Sequence, residues 1–248
     1  MSAVAASLAP TPARLDAYPG RPQRDALDAE ALDRDGYVVV PALLSAAQCD
    51  ELRASYAREG LFRSRVVMQR HGFGRGEYQY FRYPLPPIIE TLRARLYAPL
   101  AAIANRWCER LDRPTRYPTT LPEFLQHCHA AGQRRPTPLL LRYGPGDYNC
   151  LHQDLYGDEV FPLQATVLLS APGVDFDGGE FALTEQRPRA QTRVEVVSLR
   201  QGDAVIFAVH HRPVAGVRGF HRVNMRHGVS RVRRGERYTL GLIFHDAT

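Results

Sequence analysis

PLLLRY (138–143), QATVLLS (164–170), GEFALTE (179–185), RVEVVSL (193–199), DAVIFAV (203–209) and RYTLGLIF (237–244) decide the fold. Each run is short and rich in aliphatic, β-branched or aromatic residues, and Gly, Pro, Asp or Asn separates it from the next. Such side chains suit a pleated, half-buried surface, and no helical repeat lies between the runs. Six of them within about 110 residues argue for an antiparallel sandwich or barrel rather than alternating strands and helices.

Upstream the pattern changes to helical. Pro87 to Leu111 carries Ile88, Leu92, Leu96, Leu100, Ile103 and Trp107 at helical spacing, with Trp107 as a packing residue. Residues 120–132 suit another short helix. Ser45 caps SAAQCDELRASYAREG (45–60), GYVVVPALL (36–44) reads as a strand running into a turn, and Asp25 to Arg34 as a short helix stopped by Gly36. The Gly- and aromatic-rich stretch from Arg65 to Arg82 suits strand and loop. Residues 1–24 hold four prolines and little periodicity, so a flexible tail is expected there. No repeat or linker divides the rest, and residues 25–248 are expected to form one α+β domain. In it, helices from the N-terminal half pack against a β core.

Composition sets limits on function. At 44% hydrophobic and 23% charged residues, the 248-residue chain can bury a sizeable core and is not of disordered type. Its apolar runs fall short of the roughly 18 residues that a membrane span needs, and the first residues lack the basic start of a signal peptide. Cys49, Cys108, Cys128 and Cys150 form no CxxC pair, which disfavours a thiolate zinc site and fits a reducing, cytoplasmic setting. The net charge is +6, and every basic residue is arginine.

The segment LRYGPGDYNCLHQDLYGD (141–158) places His152 and Asp154 two residues apart. In an extended chain that spacing sends both side chains to one face. An imidazole and a carboxylate there supply two metal ligands, and a lone HxD needs a third from elsewhere. His227, in RHGVSRVRRGERYTLGLIF (226–244), sits just before the final strand and is the leading third ligand. Two histidines and one carboxylate leave adjacent coordination positions open, as non-haem Fe(II) requires. Asp154 and His227 are 73 residues apart, a long interval whose surplus falls in HHRPVAGVRGFHRVN (210–224). His210, His211 and His221 are therefore rival third ligands. Arg237 lies in an apolar run, where an unpaired cation is costly, so it is expected to meet an anion there.

With HQD at 152–154, DFDGGEF at 175–181, LRQGDAVIF at 199–207 and RHGV with RRGERYTL across 226–240, the chain resembles the 2-oxoglutarate- and Fe(II)-dependent oxygenases. Within that superfamily it is most similar to the prolyl-hydroxylase-like group. The resemblance covers roughly 138–246 together with GYVVVPALLSAAQCDEL near the N-terminus. It implies a double-stranded β-helix, or jelly-roll, core and an iron site at His152, Asp154 and His227. It also implies that Arg237 holds the far carboxylate of 2-oxoglutarate, helped by Tyr143, with Thr166 as a supporting hydroxyl. The implied reaction uses O2 and 2-oxoglutarate, releases succinate and CO2, and hydroxylates an unactivated C–H bond.

The substrate is less defined. The resemblance favours a protein or peptide side chain. Hydroxylation of a small acidic metabolite and oxidative N-demethylation of nucleic acid bases are the alternatives, and a jelly-roll binding module without catalysis is a further one. Arg187, Arg189 and Arg193 form one basic group, and seven arginines fall between 218 and 237 against the single acid Glu236. Arg189, Arg193 and Arg222 are the expected members of a substrate-attracting collar. A solvated face is the simpler reading of such a group, and Phe220 is the main aromatic beside it that could stack a base. No membrane and no obligate protein partner are expected.

Overall fold

Asp28 accepts a hydrogen bond from the Ala31 amide and caps α1 (Ala29–Asp35), which Gly36 ends in the left-handed region. The structure, a computed structural model, describes residues 27–248. The tail expected at 1–24 lies outside them. From α1 the chain enters β1 (Tyr37–Val40) and α2 (Ala46–Ser55), where Ser45 and Gln48 form a reciprocal capping box. The Gly- and aromatic-rich stretch becomes β2 (Phe62–Val67), β3 (Gly74–Arg75) and β4 (Glu77–Phe81). Two helices follow, α3 (Pro87–Arg110) and α4 (Leu121–Ala130), the latter capped by Thr120.

The second half is all strand. It contains β5 (Leu139–Tyr143), β6 (Tyr148–His152), β7 (Leu163–Leu168), β8 (Phe176–Gly178), β9 (Phe181–Gln186) and β10 (Arg193–Val197). Then come β11 (Ala204–Ala208), β12 (His211–Gly216), β13 (Gly219–Val229), β14 (Val232–Gly235) and β15 (Arg237–Leu242). The larger sheet runs β1-β11-β7-β15-β5-β4-β2 and the smaller β10-β9-β13-β6-β3, with β12 paired to β13. Strand pairing is antiparallel in both sheets. This is an α+β fold with a jelly-roll core.

Alternation along the larger sheet explains how one layer serves two purposes. Leu140, Ala165, Val167, Leu240 and Leu242 share a core with Leu92, Leu96, Leu100 and Ile103 of α3. Their neighbours Leu141, Tyr143, Thr166, Arg237 and Thr239 line a cavity instead. Leu140 and Leu240 are wholly excluded from solvent, and burying each stabilises the fold by about 1.5–3 kcal/mol. Truncating either to alanine costs about 2–5 kcal/mol.

The helices are also pinned by a buried ion pair. Arg93 of α3 donates to the Ile243 and Phe244 carbonyls and pairs with Asp246 at 2.9 Å. Asp246 also accepts from Tyr83 and contacts His129 of α4. These contacts tie both helices to the segment that follows β15. Among the described residues no helix is long and apolar enough to cross a membrane.

Candidate metal centre

His152 and His227 sit opposite one another on β6 and β13, with ring centroids 4.2 Å apart. The close approach of these strands depends on Gly228, where a Cβ would lie 2.7 Å from the Asn149 carbonyl oxygen. The ladder shifts register between His227 and Val229. β6 stops at His152, so the following loop, and not the pleat, places Asp154. Asp154 Oδ1 lies 3.5 Å from His152 Nε2, and Oδ2 lies 3.4 Å from His227 Nε2. One ligand atom from each residue falls within 4.8 Å of the others. Two imidazole nitrogens and a carboxylate aimed at one point suit a divalent transition metal with open positions. They form a two-histidine, one-carboxylate triad.

Local contacts orient this group. His152 Nδ1 is 2.8 Å from the Cys150 carbonyl, so it carries the proton and leaves Nε2 free to ligate. His227 is buried against Phe207 and Phe181, with ring centroids 4.6 and 6.1 Å away. Burial, with His152 beside it, pushes the His227 pKa down, which favours the neutral, ligating form. Burial opposes charge on Asp154, but hydrogen bonds and charge from the two histidines hold its carboxyl well below the usual range. His152 moves the other way: burial disfavours its charged form, and Asp154 outweighs burial to raise its pKa. The rival histidines do not converge here. His210 and His211 pack against each other with their rings tilted at 43°, and His221 is paired across the β12–β13 hairpin to Val214. That hairpin holds most of the surplus between Asp154 and His227.

Across the cavity, the larger sheet presents Arg237, Tyr143 and Thr166. Arg237 and Tyr143 are direct cross-strand partners on β15 and β5, and both are buried. Among the described residues, Arg237 Nε and Nη1 and the Tyr143 hydroxyl have no hydrogen-bond partner. Burial pushes the Arg237 pKa down to about 10 and raises that of Tyr143. Gly179, in the DFDGGEF turn, makes room for this arginine, because a Cβ there would lie 2.8 Å from Arg237 Cδ. A buried guanidinium and phenol with spare donors fit a carboxylate at one end of the cavity, while the triad fits a metal at the other.

The expected arginine collar does not line this cavity. Arg189 lies in the β9–β10 turn and Arg222 on β13, toward the same end of the smaller sheet. Arg193 lies 3.7 Å from Glu185, a buried carboxylate that also takes Arg187 and Arg212. The mouth carries Phe73, a residue that the pattern of the sequence does not single out. Phe73 is 48% exposed, lines the cavity and stacks on His71 at 5.3 Å and 22°. Its backbone bonds to Met68 and Cys150, and Gly72 and Gly74 on either side have positive φ. Tyr156, also missed, donates to Asp154 Oδ1 at 2.7 Å.

Residues 76–247, which contain the whole triad and Arg237, match an oxygenase family described as catalysing oxidative methylation of damaged DNA. The protein Rv2227 of Mycobacterium tuberculosis H37Rv is 46% identical over 202 residues, covering 82% of this chain and 84% of the relative. A 2-oxoglutarate/Fe(II) oxygenase-family oxidoreductase from Burkholderia pseudomallei shares the fold at a TM-score of 0.53. It is 19% identical and covers 89% of this chain and 91% of its own. A Trichoplax adhaerens prolyl hydroxylase, solved with a fragment of hypoxia-inducible factor, superposes at 0.52. Its identity is 15%, and coverage is 88% and 87%. The extent of the family match, together with the triad and the jelly-roll core, places the chain as a non-haem iron dioxygenase: it belongs to this oxygenase family, within the 2-oxoglutarate- and Fe(II)-dependent superfamily.

Proposed function

We propose that this oxygenase uses Fe(II) and 2-oxoglutarate to remove methyl groups oxidatively from damaged nucleic acid bases. The observation that carries the reading is the family match, which spans every site residue from Tyr143 to Arg237. The resemblance read from the sequence ranks a protein or peptide side chain first, and the family match reverses that order. An oxygenase of this type holds no methyl donor, so its natural action on a methylated base is oxidation of a methyl C–H bond. The hydroxymethyl group so formed on nitrogen leaves as formaldehyde.

His152, Asp154 and His227 would hold the iron, which supplies oxygen activation when 2-oxoglutarate is also bound. Arg237 and Tyr143 provide the cation and hydroxyl for the far carboxylate, and Thr166 a supporting hydroxyl on β7. Phe181 and Phe207 keep His227 out of water. At the mouth, the exposed ring of Phe73 offers a flat face on which a base can stack, worth about 1–3 kcal/mol per base. Arg70 and Arg75 flank it in the chain; both are exposed, and among the described residues neither has an ion-pair partner, so they suit phosphates.

The test is turnover of 2-oxoglutarate by the iron-loaded protein with three pools: oligonucleotides carrying N-methylated bases, peptides, and small acidic metabolites. Succinate and formaldehyde released in equal amounts with the methylated oligonucleotides, and not with their unmethylated counterparts, is the expected result. Coupled turnover with peptides alone would overturn the nucleic acid reading and leave the oxygenase in place.

A further inference from the structure

We infer that Tyr156 is a positioning residue for the metal-binding carboxylate, fixing how Asp154 presents its two oxygens. The phenol lies two residues beyond Asp154 and donates to Oδ1 at 2.7 Å. Asp154 is buried, so this bond is shielded from competing water.

The phenol is itself held from several sides. Its ring packs edge-on to Tyr80, at 6.4 Å between centroids and 89°, and against His245 at 6.2 Å. Its carbonyl accepts from Gln133 Nε2 at 3.0 Å. Gln133 has no exposed surface, and it also accepts from the Glu159 amide at 2.8 Å and donates to the Asp246 carbonyl at 2.6 Å. Gly157, with φ of 105°, lets this amide sit close, since a Cβ there would lie 2.4 Å from Gln133 Cδ. The loop that carries Asp154 is therefore locked to the segment after β15, and Tyr156 is set before any ligand arrives.

The consequence lies in coordination number. An unrestrained carboxylate can turn about its Cβ–Cγ bond and chelate through both oxygens, which would fill a position the cosubstrate or oxygen needs. With a hydrogen bond already on Oδ1, ligation through a single oxygen would be favoured, and the triad would supply one ligand atom from each of its three residues. Partners beyond the ligands tune metal sites in this way, and their loss weakens metal affinity by about 10–100-fold. Tyr80 packs edge-on against Tyr156, and its phenol neighbours that of Tyr156 without a hydrogen bond to Asp154. Tyr80→Phe is therefore the control for loss of a nearby phenol oxygen that does not itself hold the carboxylate.

The inference rests on the metal centre and not on the identity of the substrate. Co(II) titration, the Co(II) d–d spectrum and thermal unfolding of Tyr156→Phe, Tyr80→Phe and Asp154→Ala test it. Tyr156→Phe should bind Co(II) about 10–100-fold more weakly and with an altered d–d band, while Tyr80→Phe resembles the parent. Placing 3-fluorotyrosine at 156 keeps both ring and donor, and should restore affinity. Parent-like affinity and spectrum in Tyr156→Phe, or failure of the fluorinated residue to restore them, overturns the positioning role. Parent-like Co(II) affinity in Asp154→Ala would overturn the metal centre itself, so the two failures are distinguishable.

Discussion

Arg237 and Tyr143 face each other across the β15–β5 ladder, and the polar ends of both side chains are buried with hydrogen-bonding capacity unused. Native proteins rarely leave a cation in that state, because an unpaired buried charge costs several kcal/mol. The arrangement makes sense when an anion completes it.

Arg237→Met should therefore have opposite effects on binding and on stability. Loss of a charge-assisted pair of bonds, about 3 kcal/mol, should weaken 2-oxoglutarate binding about 100-fold while Co(II) still binds. Without cosubstrate, the variant should unfold at the parent's temperature or above it, since it removes a desolvated charge. Tyr143→Phe should weaken 2-oxoglutarate by only about tenfold. Calorimetric titration and thermal melts measure both effects, and unchanged cosubstrate affinity in Arg237→Met would remove the assignment.

His227→Ala should stay folded, because the position is walled by Phe181 and Phe207 and loses only one ring. It should lose nearly all metal-dependent 2-oxoglutarate decarboxylation, as should His152→Ala. Chelation of the parent should have the same effect, reversed by adding Fe(II). Full metal occupancy in His227→Ala would hand the ligand role to another histidine.

The six apolar runs of the sequence correspond to β5, β7, β9, β10, β11 and β15, so the core was legible from hydrophobic pattern alone. β6, β12 and β13 were not, because they carry His152, His211 and His227 and have mixed exposure, which erases the two-residue period. The triad was legible because spacing restricts it. Phe73 and Tyr156 were not, since exposure beside a cavity and a hydrogen bond to a ligand are tertiary facts. How the arginine clusters are used was not legible for a related reason: Glu185 is one residue in the sequence, yet the fold brings Arg187, Arg193 and Arg212 to it.

That carboxylate sets a pH dependence. Burial opposes its charge, but hydrogen bonds from Arg187 and Arg212 hold Glu185 below the ordinary value of 4.5. Its contribution is complete above 4.5 and is lost as pH falls through the lower folded-state value. Between about pH 5 and 3 the parent should lose melting temperature more steeply than Glu185→Gln, although the variant is less stable at pH 7. Parallel melting curves across that range would deny Glu185 this role.

Arg93→Ala breaks the bond between α3 and Asp246, leaving a buried carboxylate without its cation. A loss of about 3–5 kcal/mol is expected in urea unfolding. Removing both partners, with Arg93→Met and Asp246→Asn together, should cost less than the sum of the two single changes. Additive losses would mean that the pair is not coupled.

The mouth of the cavity separates stacking from steering. Phe73→Ala removes a preset aromatic face without touching the triad, Arg237 or Tyr143. It should raise the KM for a methylated oligonucleotide about 10–100-fold, as expected for one lost base contact, and leave substrate-free 2-oxoglutarate turnover unchanged. Replacing Arg70 and Arg75 with glutamine should act differently. Binding of the parent should weaken as salt rises from about 50 to 200 mM, and the variant should lose roughly two charges' worth of that slope. Replacing Arg189, Arg193 and Arg222 together gives the comparison, because these lie on the smaller sheet away from the cavity lining and Arg193 is already partnered by Glu185. If this triple change flattens the salt slope and the Arg70 and Arg75 pair does not, the nucleic acid strand follows the β9–β13 end of the sheet. A parent-like KM in Phe73→Ala would mean that the base enters without stacking there.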